Sequence, residues 1–150
     1  MTSQRIGKYA CLETERRYLL KTVPEDLAAD ANGWFITDHY FPNTRLRLRK
    51  MESMTGDETI YKLTQKYRSA TQNASETTIT NVYLTETEYH FLQPLEAMML
   101  RKRRYPYRAQ NRHFSIDVFE DRHQGLILAE IELEDKAEAD ETVLPVFALK

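Results

Sequence analysis

The sequence predicts a mainly β (α+β) fold, an eight-stranded antiparallel sheet closed into a barrel or tunnel with a few short helices packed outside. Three observations lead there. Eight stretches alternate polar with apolar residues or are rich in β-branched ones, and turn residues separate most of them. So many strands in 150 residues favour closure, because a closed sheet has no exposed edge to recruit other chains. The polar faces are also sorted by charge, whereas a solvated face would carry a mixture.

Taken in order, Leu12 to Leu20 roughly alternates and reads as a strand. Val23-Pro24-Glu25-Asp26 opens a short helix, with proline early and acids in the first turn, ending near Gly33. Residues 34–41 form a strand of mixed pattern, and Arg45-Leu46-Arg47-Leu48-Arg49 alternates fully, so an extended chain presents three guanidinium groups on one side. After a turn at Thr55-Gly56-Asp57, Ile60 to Lys66 puts Lys62, Thr64 and Lys66 on one side and Tyr61 and Leu63 on the other. Thr77 to Leu84 is a β-branched strand. Thr85 and Glu88 form a capping box ahead of Tyr89 and Leu92, and Pro94 stops that helix. Leu100 to Tyr107, Arg112 to Glu120 and Leu126 to Leu133 complete the strands, with turns around Asn111 and Gly125.

Composition narrows the function. Hydrophobic residues make up 41% and charged residues 29%, as in one globular domain spanning 1–150. The longest apolar runs are too short to cross a bilayer, and the N-terminus carries no apolar signal segment. The lone Cys11 is expected to be a small buried residue, and the chain is expected to be cytoplasmic. With 21 basic and 23 acidic residues the formal charge is −2, which gives no bulk attraction for nucleic acid or anionic lipid.

The arrangement of charge is more telling than its sum. If the like-phase faces converge, the interior holds Arg17, Arg45, Arg47, Arg49, Lys62, Lys66, Lys102 and Arg104 against Glu13, Glu15, Asp117, Glu130 and Glu132. Eight cations against five carboxylates leave an excess of three positive charges in a confined space. Unpaired buried guanidinium groups cost several kcal/mol each, so such a bore requires water or a polyanion. Arginine forks and lysine point charges suit phosphate oxygens, and neighbouring carboxylates suit a hard ion such as Mg²⁺ or Mn²⁺. These features predict a metal–polyphosphate site.

The segment Cys11-Leu12-Glu13-Thr14-Glu15-Arg16-Arg17-Tyr18-Leu19 resembles the N-terminal ExExK strand of the CYTH superfamily, the triphosphate tunnel metalloenzymes. The Arg-Leu-Arg-Leu-Arg strand, Lys62 to Lys66, the capped helix at Thr85, Arg101 to Pro106, Ser115 to Phe119 and Ala129 to Leu133 follow in the family's order. The resemblance implies an eight-stranded antiparallel tunnel that takes triphosphates with divalent metal. Its members hydrolyse inorganic or thiamine triphosphate, and others cyclise ATP.

For this chain the resemblance implies phosphate binding by the eight cations and metal binding by Glu13, Glu15 and Glu132. Glu130, Glu132 and Asp117 would be catalytic, with Glu130 or Asp117 orienting a second metal, as Mg²⁺ or Mn²⁺. The expected activity is metal-dependent hydrolysis of a triphosphate compound. The alternatives are a non-hydrolysing polyphosphate or nucleotide-triphosphate binding module and, behind it, an adenylate cyclase. The expected partners are a small-molecule triphosphate and at most a second copy of the chain, with neither nucleic acid nor membrane.

Departures from the family pattern are also expected to matter. Arg17 replaces lysine, Thr78 and Thr80 fall where an acidic pair is usual, and Ser115 stands where many relatives have glutamate. The C-terminal segment usual in the family is not expected after about residue 145 of this sequence. The plainer reading of the arginine triplet is the wet side of an exposed hairpin, and that of Glu130 and Glu132 is a pair of surface ion pairs. His39, His90, His113 and His123 read as loop or surface residues, with only His113 in phase to enter the tunnel.

Overall fold

The computed structural model describes residues 6–27, 32–68 and 75–133. Eight strands run in chain order: β1 (Cys11–Leu19), β2 (Trp34–Tyr40), β3 (Leu46–Ser53), β4 (Thr59–Tyr67), β5 (Glu76–Leu84), β6 (Met98–Ala109), β7 (Arg112–Phe119) and β8 (Ile127–Leu133). They close into a barrel in the order β1-β5-β4-β3-β2-β6-β7-β8, every pair antiparallel. The helix α1 (Glu86–Leu92) lies against β4 and β5.

Local chemistry explains the connections. Gly56 at φ +80° turns the β3–β4 hairpin, where Ser53 and Thr55 hydroxyls donate to Asp57 at 2.7 and 2.6 Å. Gln110 and Asn111, both left-handed at φ 52° and 58°, make the two-residue turn between β6 and β7. The capping box forms as expected: the Glu88 amide donates to Thr85 Oγ1 and the Thr85 amide donates to Glu88 Oε1. The helix ends at Gln93, before Pro94.

The helix expected from Val23 does not begin there. Residues 23–27 hold a single turn, closed by the Leu27 amide on the Pro24 carbonyl, and the rest of that segment up to residue 31 lies outside the described residues, as does everything after 133. A single 3-10 turn, Asp121–His123, joins β7 to β8. Among the described residues no helix is long and apolar enough to cross a membrane.

The apolar core sits outside the bore. Tyr18, Tyr105, Phe114, Ile116, Ala129, Ile131 and Leu133 are buried on the outward faces of β1, β6, β7 and β8, and Leu20 packs with them. Another apolar layer lies under α1, where Tyr89 packs on the Tyr61 ring at 4.7 Å and meets His39 edge-on at 6.4 Å. His39 is therefore buried rather than a surface residue, because it points outward from β2 beneath the helix. With apolar residues packed on the outside of the sheet, the inward positions are left for polar and charged ones.

Candidate active site

The bore is a cavity of about 500 Å³ lined by Arg17, Arg47, Arg49, Lys62, Lys66, Lys102 and Arg104, with Glu13, Glu15, Asp117, Glu130 and Glu132. Antiparallel register brings them together: Arg49 lies opposite Lys62, Arg104 opposite Asp117, Arg17 opposite Glu130 and Glu15 opposite Glu132. The plainer hairpin reading fails for Arg49, which is buried.

Two buried carboxylates hold the cationic wall. Asp117 accepts Lys102 Nζ at 2.7 Å and both Nε and Nη2 of Arg104 at 2.7 and 2.8 Å. Asp38 accepts Arg49 Nε and Nη2 at 2.6 and 2.7 Å and is fully buried. Burial alone would raise both carboxyls, but the arginine hydrogen bonds and charges prevail and hold them below the usual carboxylate range. Sequence reasoning missed Asp38 because β2 alternates poorly. Its only signal was an acid in phase with Ile36 inside a strand, beside a strand of arginines.

Two cations of this wall lack an adequate carboxylate. Arg47 has Nε buried without a hydrogen-bond partner, 3.8 Å from Asp38, while Nη2 donates to Thr64 Oγ1 at 3.3 Å. Burial and the Arg49 charge both lower its pKa. Lys62 has no ion pair among the described residues, and burial, followed by the charges of Arg49, Arg47 and Arg104, pushes it down to about 8. Counting Asp38, the bore holds seven cations against six carboxylates, so the excess is one and not the three expected.

The remaining carboxylates gather where β1 meets β8. Lys66 Nζ reaches Glu13 at 2.7 Å and Glu15 at 3.5 Å. Arg17 Nη2 donates to Glu15 at 2.6 Å and its Nε donates to Glu130 at 2.9 Å. Burial and repulsion from Glu130 raise the Glu15 carboxyl above its ordinary value. Glu130 goes the other way, because Arg104 and Arg17 outweigh its burial. Glu132 is exposed and has no ion pair among the described residues.

Comparison with known proteins yields no matching family model and no curated relative. Solved structures do match. The inorganic triphosphatase NE1496 superposes with a TM-score of 0.55 at 23% identity, over 91% of this chain and 86% of that one. PH1819 from Pyrococcus horikoshii gives 0.59 at 17% identity, over 86% and 82%. A candidate adenylate cyclase from Bacillus halodurans gives 0.60 at 15%, over 88% and 86%. The chain shares the fold of these proteins, a closed eight-stranded antiparallel barrel.

Within that barrel, four expectations need correction. Arg45 does not line the bore. It is exposed just before β3, with its guanidinium over the Tyr67 ring at 4.6 Å, in an adjoining cavity of about 320 Å³ shared with Arg17, Arg47 and Lys66. Thr78 and Thr80 point away from the tunnel: Glu13 pairs with Thr77, so Thr77, Ile79 and Asn81 take the inward phase and none is acidic. Cys11 is exposed because it precedes the tunnel residues at the end of β1. His113 is exposed and lines no part of the bore.

The tunnel's oxygen-only donors fit a hard divalent ion in chemistry. Among the described residues, however, no three carboxylates converge on one point in this arrangement, since Arg17 and Lys66 hold Glu13, Glu15 and Glu130 individually.

Proposed function

We propose that the tunnel binds a triphosphate compound, inorganic or organic, and hydrolyses it with the help of a divalent metal. The observation that carries this reading is the pair Arg47 and Lys62, two partly desolvated cations without a carboxylate of their own, facing the bore among further cations. A buried cation left unpaired is costly, and phosphate oxygens at this wall offset that cost. The resemblance of the fold to that of NE1496, an inorganic triphosphatase, supports the substrate class.

The residues divide the work. Arg47, Arg49, Lys62, Lys102 and Arg104 straighten the phosphate chain and spread its charge, which is most of what phosphoryl transfer asks of a protein. Both Asp117 oxygens are already occupied, so Asp117 acts as a positioning residue for Lys102 and Arg104. Glu13, Glu15 and Glu132 would hold Mg²⁺ or Mn²⁺, which supplies charge neutralisation and acidifies bound water. Glu132, which has no ion pair among the described residues, would accept the proton of the attacking water. The water oxygen bonds to the terminal phosphorus, the bridging P–O bond breaks, and phosphate leaves with the shortened product.

A second reading, a binding module without turnover, draws on the cation-held carboxylates. A panel of inorganic triphosphate, thiamine triphosphate and ATP with Mg²⁺ or Mn²⁺, assayed for phosphate, cyclic AMP and bound ligand, separates the readings. Phosphate release that Glu132→Gln abolishes in a folded protein supports hydrolysis. Binding without release supports the module, and unchanged turnover in Glu132→Gln removes that residue from the mechanism.

A further inference from the structure

We infer that Arg17 is a displaceable counter-cation that couples the two ligands: without a phosphate chain it occupies Glu15 and Glu130 and keeps divalent ions off them, and an arriving phosphate chain draws it away. The inference rests on the triphosphate reading and adds an order of binding to it.

Because Glu15 lies opposite Glu132 and Arg17 opposite Glu130, the β1–β8 seam brings several carboxylates to one end of the bore. Like charges on facing strands repel, and the arginine fork relieves this by reaching Glu15 with Nη2 at 2.6 Å and Glu130 with Nε at 2.9 Å. A lysine's compact head offers no planar fork for this span.

Arg17 also differs from the other tunnel arginines in its freedom. Its side chain is 53% exposed, whereas that of Arg49 is 5% exposed and clamped by both oxygens of Asp38. The arginine end of these ion pairs is open to water although Glu15 and Glu130 are only 12% and 19% exposed, so the guanidinium is free to swing out without unpacking the wall. Arg17 further borders the adjoining cavity, where Arg45, Arg47 and Lys66 are present and no carboxylate lines the wall. A phosphate entering there meets four cations and gives the guanidinium a better partner than either glutamate. Once Arg17 moves, Glu15 and Glu130 are left as neighbouring partly buried carboxylates, and a divalent cation restores their balance. Coupling of this kind is reciprocal, so bound metal also releases Arg17 toward phosphate.

The test uses the full chain and two separate probes. Mn²⁺ alone, in phosphate-free buffer, is titrated by electron paramagnetic resonance, and inorganic triphosphate alone, with chelator present, is titrated by calorimetry. Arg17→Ala and Arg17→Gln are expected to bind Mn²⁺ about fivefold or more tighter than the parent, and to bind triphosphate roughly tenfold more weakly. A purely structural role would weaken both. The inference is overturned if neither variant gains Mn²⁺ affinity, if triphosphate binding is unchanged, or if both variants fail to fold, which would make Arg17 a strut. Absence of triphosphate binding in the parent protein would sink the functional reading, while the Mn²⁺ arm would still judge Arg17.

Discussion

Asp38 and Lys62 are two sides of the same electrostatic problem. Asp38 holds the Arg49 guanidinium in a site where both side chains are almost wholly out of water. Replacing Asp38 with Asn leaves that cation without its charge partner, and the expected loss is about 3–5 kcal/mol, read from urea unfolding. Lys62 has the opposite problem, with arginines around it that outweigh Asp38 and no ion pair of its own among the described residues. In the unfolded chain it holds its proton up to its ordinary value of 10.5, but in the folded tunnel only to about 8. Between these values the unfolded state binds more protons, so Lys62 makes folding more favourable as pH rises through that window. Triphosphate affinity is expected to run the other way, falling above about pH 8 as Lys62 loses its charge. Calorimetry from pH 7 to 9 checks this, with Lys62→Arg expected to flatten the profile. Lys62 was legible in the sequence as a cation in phase, but its depressed pKa was not, since that depends on cations from other strands.

At the scale of elements, the inward face was legible in the strands with strict alternation and not in the mixed ones. In β3, Arg47 and Arg49 point inward and Leu48 is completely buried on the other face, as the pattern requires. In β5 the β-branched run Thr77 to Thr80 has no polarity contrast, so the letters could not tell one face from the other. Pairing with β1 set the phase one residue away from the one expected. The helix α1 shows the converse, a local signal that sufficed: the capping box fixes its start, and Tyr89 anchors it over Tyr61. Thr85→Ala is expected to cost about 1 kcal/mol in thermal unfolding while leaving triphosphate affinity within error, because Thr85 caps the helix and does not line the bore.

At the scale of the whole molecule, barrel closure gives a chain with a formal charge of −2 a bore lined by seven cations. Most of the cations come from β3, β4 and β6 and four of the carboxylates from β1 and β8, while Arg17, Asp38 and Asp117 sit among charges of opposite sign. A ligand that binds only the closed barrel must stabilise it, and at one hundred times its dissociation constant the gain is about 2.7 kcal/mol. Inorganic triphosphate is therefore expected to raise the melting temperature, and high salt is expected to reduce the effect by screening the cations at the tunnel mouth. No shift at low salt would contradict a polyanion-binding tunnel.

By itself the sequence determined the strands, the capped helix, the turns and most of the inward charges, because those depend on alternation and on turn chemistry between near neighbours. Tertiary structure decided the rest. Which acid meets which cation depends on register between strands far apart in the chain, as with Asp38 under Arg49 and Arg17 astride Glu15 and Glu130. Whether a charge is quenched or left seeking a partner depends on burial and on neighbours across the bore, and neither exists until the barrel has closed.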